Sequence, residues 1–273
     1  MSRKIAVYTC IIGDYDAVPL KRPDVPGVDF FVFSNLDLSE TTEWTAVQFS
    51  MPEHSPTVQN RFVKLHPSLM LPDYEFIVYV DGNIQIVGNV STLVSDLLVD
   101  THFTVGMYQH PYRNCIYSEG AACIRHSRDW FWRIARQLRR YAKLSYPVDN
   151  GLYEAGVIVS RKSQLTDAFF RTWWLAYLSG SARDQIPLAY AAWKLSIPIT
   201  NLGVSDFRYI HRFFRLVPHK SSQLSWRLLV ARVVNTIAYR FVPTAMLFGL
   251  KGWKPQLGEP EQLGRKLASR KES

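Results

Sequence analysis

Cysteine is scarce: the 273 residues hold only Cys10, Cys115 and Cys123, with no Cys-x-x-Cys pair and no Cys/His spacing of the zinc-binding kind. A disulfide framework is excluded, and three reduced, buried thiols are expected, as in a cytoplasmic protein. Long apolar runs are also missing. The longest uncharged stretch is the 14 residues from Gly82 to Ser95, short of the roughly 20 that a membrane-crossing helix needs. The first strand-like run starts at Ile5, close enough to Met1 that no signal peptide is expected before it. No internal repeat, no Gly/Ser linker and no helix-turn-helix, zinc-finger or RNP-like pattern occurs.

Acid is in short supply, with 23 Asp+Glu against 32 Lys+Arg and a net charge of +9. The shortage is local. From Lys220 to Ser273 ten cations face three anions, so residues 1–219 are nearly neutral. A charge gathered in the last fifth of the chain is not the footprint of a nucleic-acid groove, and no nucleic-acid partner is expected. Core material is plentiful: 47% of residues are hydrophobic, including 8 Trp, 14 Tyr and 15 Phe. The length suits one large domain or two small ones. The composition shift puts a domain at 1–220 and a basic extension at 221–273.

Ile5–Thr9, Phe30–Phe33, Phe76–Val80 and Val157–Val159 are short runs rich in Val, Ile, Phe and Tyr and are predicted to be buried strands. Helices are predicted over Pro56–Leu71 (ended by Pro72 and Asp73), Trp130–Lys143, Phe169–Leu178 and Ile186–Leu195. Strands alternating with helices imply an α/β layer fold with a mixed, mostly parallel sheet. Open sheets of this class bind ligands beyond the carboxyl ends of their strands. The Phe76–Val80 run ends there in Asp81-Gly82-Asn83. Period two puts the carboxylate and the amide on one side, where oxygen donors suit Mg²⁺ or Mn²⁺ carrying a diphosphate. The same tripeptide is also an ordinary turn.

The order of motifs adds more. Asn60-Arg61-Phe62-Val63-Lys64-Leu65-His66, then Leu71-Pro-Asp-Tyr, then the Asp81 strand resembles the centre of GT-A glycosyltransferases, especially the retaining group of glycogenin and bacterial galactosyltransferases. Tyr153-Glu154-Ala155-Gly156-Val157 resembles that group's later strand, and Arg183-Asp184-Gln185 its Asn-Asp-Gln helix start. More closely, Lys64-Leu-His-Pro, Val80-Asp-Gly-Asn, His110-Pro-x-Arg, Cys115-Ile-Tyr-x-Glu, Gly151-Leu-Tyr-Glu-Ala-Gly-Val and Arg183-Asp-Gln together resemble the DUF616 family of plant mucilage-type and bacterial glycosyltransferase-like proteins. The likeness runs over roughly residues 4 to 200.

That resemblance implies a GT-A fold and a glycosyltransferase that moves a sugar from a nucleotide-diphosphate donor, most simply a UDP-sugar, to a polysaccharide or lipid-linked glycan. It assigns Tyr8, Thr9 and Cys10 to the nucleoside site, and Arg61 and Lys64 to the diphosphate or ribose. Asp81, Gly82 and Asn83 go to the metal and donor, with His211 (or His219) as a further metal ligand. It places Glu154, Asp184 and Gln185 on the donor sugar, with Asp184 or Glu154 as the candidate base. His110, Arg113 and Glu119 fall on the acceptor side. Asn83 stands where Asp-x-Asp enzymes carry a second carboxylate, so a weakly held Mn²⁺ or Mg²⁺ is expected. Two alternatives stay open: a non-catalytic sugar-nucleotide-binding relative, and a metal-dependent hydrolase.

The C-terminal segment carries its own expectation. Over Leu224–Phe241, Ser225, Arg232, Asn235, Thr236 and Arg240 fall within an arc of about 140° at about 100° per residue, a pattern that Arg227 breaks; a helix packing its apolar face on the domain is one outcome. A basic amphipathic helix of this kind suits an anionic membrane surface through residues 224–250, at the inner face of the membrane.

Overall fold

Seven buried residues in a row form β1 (Ile5–Ile11), and burial on both faces is what an inner parallel strand requires. Chain order then gives β2 (Val28–Ser34), β3 (Thr45–Gln48), α1 (Pro56–Lys64), α2 (Pro67–Met70), β4 (Phe76–Val80), β5 (Ile84–Ile86), α3 (Val90–Leu97) and β6 (Val105–Gln109). The elements that follow are α4 (Ile116–Arg125), α5 (Phe131–Lys143), β7 (Tyr153–Arg161), α6 (Gln164–Leu178), α7 (Gln185–Lys194), β8 (Ile199–Val204), β9 (Phe214–Leu216), α8 (Trp226–Phe241) and α9 (Thr244–Phe248). The computed structural model describes residues 4–13, 16, 22–38, 42–204, 212–217 and 226–256.

Seven strands form one sheet in the order β3-β2-β1-β4-β7-β6-β8. β3, β2, β1 and β4 run parallel, and β7 pairs antiparallel to β4. With helices flanking it, this is the mixed α/β architecture expected. β5 and β9 make a separate antiparallel pair. The chain winds outward from β1 to β3, then returns to lay β4 on the other side of β1. The switch point therefore lies between β1 and β4.

Most expected elements appear close to their expected bounds, with one division. Pro56–Leu71 is two helices, because Pro67 has no N–H to continue the α1 ladder and instead starts α2 at its first position.

Contacts group the chain into two compact units. Unit 1 is Met1–Tyr108, Ala155–Trp174 and Ile197–Ser222; unit 2 is Gln109–Glu154, Leu175–Ser196 and Gln223–Ser273. The core of unit 1 is the sheet's aliphatic and aromatic face, with Val7, Val32, Phe76, Val78, Val157 and Val159 at its centre. In unit 2, α4 packs against α5, α7 and α8, and α9 packs on α5.

One expectation about α8 is corrected. Asn235, placed on the polar arc, is fully buried with Ala231 and Ala238 beside it. Its amide donates to Asp129 O at 2.7 Å and accepts the Phe131 N–H at 3.0 Å. Phe131 opens α5, whose own cap residue Trp130 makes no side-chain cap bond, so Asn235 satisfies a donor the helix start leaves open. That bond holds the small face inward and turns Val233, Ile237 and Phe241 to solvent.

The α4–α5 contact yields a test. A Cβ on Gly120 would overlap Leu138 Cδ1 and lie 3.2 Å from Ile134 Cγ2. Gly120→Ala is expected to destabilise the protein by about 1–3 kcal/mol through overpacking, seen as a lower thermal midpoint. Helix propensity alone favours Ala by about 0.5–1 kcal/mol, so a raised midpoint would contradict the packing account.

Candidate functional site

The unit 1 cluster sits at the switch point. β4 ends in Asp81, whose backbone N–H is held by Gly156 O at 2.8 Å. Its carboxylate Oδ1 accepts from Lys64 Nζ at 3.2 Å and from the Tyr79 hydroxyl at 2.9 Å. Tyr79 reaches it because residues two apart on a strand share a face. The Lys64 side chain is fully enclosed and lies over the Tyr79 ring at 4.9 Å, whereas the Asp81 side chain keeps 31% exposure.

Gly82 is a close-approach glycine. A Cβ there would lie 2.8 Å from Asp16 Oδ2, so a second carboxylate rests against the Asp81-Gly82-Asn83 turn. Burial first, and then the Asp81 carboxylate, push the Tyr79 phenol well above its ordinary range. The Cys10 thiol is raised mainly by burial, so it stays protonated.

The other residues expected in this cluster are placed as follows. Tyr8, expected in the nucleoside site, is fully enclosed. Its hydroxyl donates to Lys64 O at 3.0 Å and Val63 O at 3.3 Å, closing the carbonyl end of α1. Thr9 and Cys10 are buried in β1, and Thr9 Oγ1 has no hydrogen-bond partner among the described residues. Cys10 O accepts from Asn60 at 2.7 Å, and Asn60 Oδ1 accepts from Arg61 at 2.6 Å. Asn83 is half-buried, and its carbonyl accepts from Val217 N. His211 lies outside the described residues.

The unit 2 cluster is built from three segments. Glu119, in the first turn of α4, is 4% exposed and accepts from Arg113 Nε at 2.8 Å and from the Cys123 thiol at 3.1 Å. Burial and the Glu119 carboxylate keep that thiol protonated. Arg183 approaches Glu119 at 3.9 Å. Glu154, at the start of β7, accepts from Gln185 Nε2 at 2.7 Å. Asp184 is the N-cap residue of α7, but its side chain makes no cap bond.

Glu154 keeps 30% side-chain exposure, and Arg183 31%. These two open the cluster to solvent. Burial, then the Glu119 and Asp184 charges, raise the Glu154 carboxyl to about 7 against the pull of Arg113 and Arg183.

His110 is held neutral. Its Nδ1 accepts the backbone N–H groups of Tyr112 and Arg113, both at 3.1 Å, and Nε2 lies 2.7 Å from Arg113 Nη2. Two N–H donors at Nδ1 leave no place there for a proton, so the neutral ring carries its single proton on Nε2. Burial first, then the Arg113 guanidinium, lower its pKa to about 3. Its approaches of 3.5 Å to Glu154 and 3.9 Å to Glu119 are therefore not ion pairs at neutral pH. His110 orients Arg113 and Arg113 neutralises Glu119, so the three residues expected on the acceptor side do come together.

The family model for the TOD1/MUCI70 glycosyltransferase-like domain matches residues 43–217, well over half of the chain. The chain belongs to this family. It is the family that the ordered motifs resemble, and the matched TOD1/MUCI70 span holds Asp81 with its lysine and every named residue of the unit 2 cluster. None of the curated proteins matches the chain. Among solved structures, mouse xyloside xylosyltransferase 1 in its apo form is similar over 73% of this chain and 84% of that one, at 12% identity and a TM-score of 0.43.

Four participants escaped sequence reasoning: Asp16, Tyr79, Cys123 and Arg183. Tyr79 was legible from its spacing to Asp81, and Arg183 from the motif that contains it. Nothing local marks Asp16.

The raised Glu154 carboxyl gives a stability test. Its native pKa, about 7, lies above the ordinary 4.5. Its neutral form therefore contributes stability that is full below pH 4.5 and is lost as pH rises through 7. Glu154→Gln keeps an acceptor for Gln185 and removes the charge. The variant is expected to unfold at a higher temperature than wild type at pH 8 and at the same temperature at pH 4.5. An equal gain at both pH values would show that the charge is not the cause.

Proposed function

We propose that the protein transfers a sugar from a nucleoside-diphosphate donor, a UDP-sugar first, to a hydroxyl of a polysaccharide or lipid-linked glycan. The observation that carries this reading is a half-exposed carboxylate, Asp81, at the carboxyl end of β4 beside the switch point, in a chain of a glycosyltransferase-like family. The donor's diphosphate is assigned to the Asp81 cluster of unit 1; the Glu154 cluster of unit 2, taken by itself, is assigned to hydroxyls of a sugar. The buried thiols suit a reducing, cytoplasmic setting.

A divalent cation fits the donor set in one particular way. Asp81, Asp16 and the Asn83 amide offer hard oxygen ligands of the kind Mn²⁺ and Mg²⁺ take. No group of three or more His, Cys, Asp or Glu able to hold a metal exists among the described residues, so the diphosphate itself would supply the remaining ligands. A cation bound there would offset the charge of the departing diphosphate. Lys64 and Tyr79 fix the orientation of Asp81 by bonding a single oxygen.

At the acceptor, a base with a pKa near the working pH is the efficient one. Glu154 meets that condition. It takes the proton as the acceptor oxygen bonds to the anomeric carbon and the carbon–phosphate oxygen bond breaks, the electron pair leaving on the diphosphate. That direct displacement inverts the anomeric centre. In a retaining reaction the leaving phosphate takes the proton, and Glu154 only binds sugar. A second reading, a sugar-nucleotide-binding relative without catalysis, is favoured by Asn83 in place of a carboxylate.

Mass-spectrometric detection of glycosylated product from a panel of nucleotide sugars and glycan acceptors tests the reading. Asp81→Ala is expected to abolish transfer while thermal unfolding stays cooperative. The rate is expected to rise with pH through about 7, and Glu154→Gln to lower it by about 10²-fold or more and flatten that rise. A Glu154→Gln enzyme with an unchanged profile would remove the base and favour retention. Donor binding without transfer would favour the second reading, and full turnover by Asp81→Ala would sink the assignment.

A further inference from the structure

Unit 2 carries an apolar stripe that its own fold does not cover. Leu229, Val233, Ile237 and Phe241 recur every four residues along α8 and lie within an arc of about 120° at about 100° per residue. All four are exposed, Phe241 by 73% and Val233 by 62%. Met246 on α9 is 70% exposed. The Asn235 bond to the start of α5 fixes this orientation, so the stripe is a built feature of the folded unit. Large aliphatic and aromatic side chains held outward in a continuous row mark an interaction surface.

The charge on α8, on α5 and just after α9, all in this unit, has one sign. Arg232 flanks the stripe on α8, Arg240 falls within its arc near the C-terminal end of the helix, and Lys251 and Lys254 follow α9. On α5, Trp132, Arg136, Arg140 and Lys143 share the exposed face, and with Leu247 they line a cleft of about 430 Å³. Arg139 at this cleft is committed: it donates to Leu247 O at 2.6 Å and Met246 O at 3.2 Å, closing the end of α9. Arg136, Lys143, Arg232 and Arg240 have no acidic partner among the described residues, and α5 and residues 226–256 contain no Asp or Glu.

We infer that this face, the α8 stripe with the basic cleft of α5 and α9, docks on an anionic lipid bilayer. The stripe enters the headgroup–acyl boundary while the arginines and lysines meet lipid phosphates, with Trp132 at the rim. The helix lies on the membrane and does not cross it: no described helix is long and apolar enough to span. Charge complementarity selects the bilayer over a second copy of the chain. A two-fold contact through the same patch would set these unpaired cations against their own copies.

Co-sedimentation of the full chain with vesicles decides the matter, because it does not depend on catalysis. Phosphatidylcholine vesicles containing phosphatidylglycerol as a third of their lipid are expected to bind the protein, pure phosphatidylcholine vesicles to leave it in solution, and high salt to release it. Arg136→Ala and Lys143→Ala are each expected to weaken partitioning about fivefold. The double variant Val233→Glu/Ile237→Glu, both sites exposed, is expected to abolish binding without lowering the thermal midpoint. Equal binding to both vesicle types, or unchanged binding by the Val233→Glu/Ile237→Glu variant, overturns the inference. So does a dimer in solution that this variant dissolves, which would assign the stripe to a second copy.

Discussion

The ammonium group of Lys64 is shut away from water, and a charge placed there must find an opposite one within reach. Asp81 supplies it at 3.2 Å. That single demand ties the end of α1 to the end of β4. Tyr8, also enclosed, bonds the last carbonyls of α1 and ties the same helix to β1. Around the switch point of the sheet, three elements are thus locked by one cation and one phenol. The Asp81 carboxylate is held by one oxygen, with its side chain still partly open to solvent. Such an arrangement binds ligands well because no ordering remains to be done when one arrives.

The unit 2 cluster solves a different problem, with the carboxylates Glu119, Glu154 and Asp184 set against only Arg113 and Arg183. Glu119 is satisfied by Arg113, which His110 steadies by staying neutral. Glu154 is left with an amide partner and two like charges nearby, and its carboxyl rises to about 7. A half-buried carboxylate so placed costs stability above neutral pH, and under the proposed function the same raised pKa suits it to take up a proton near pH 7. The same unit turns α8 with its small residues inward, because Asn235 is needed at the start of α5.

Much of this was legible beforehand, and the exceptions share a cause. Runs of β-branched and aromatic residues marked β1, β2 and β4 because a two-face buried strand has few other ways to be written. Asp81 stood out because a carboxylate breaking such a run sits at a strand end. The ordered motifs carried the family, and they named Glu119, Glu154 and Gln185 without showing that Cys123 and Arg183 join them. Asp16 escaped because its relation to Gly82 spans 66 positions and depends only on a missing Cβ. The facing of α8 was misjudged for the same reason: periodicity shows that a helix has two faces, but the partner that decides between them is 104 residues away.

The central claim is that Asp81 and its neighbours form a nucleoside-diphosphate site. Isothermal titration of UDP into wild-type protein and into Asp81→Ala, each with and without Mn²⁺, tests it most directly. The account predicts saturable one-site binding to wild type that Mn²⁺ strengthens, and loss of that strengthening in Asp81→Ala. Equal affinity of the two proteins for UDP in the presence of Mn²⁺ would contradict it.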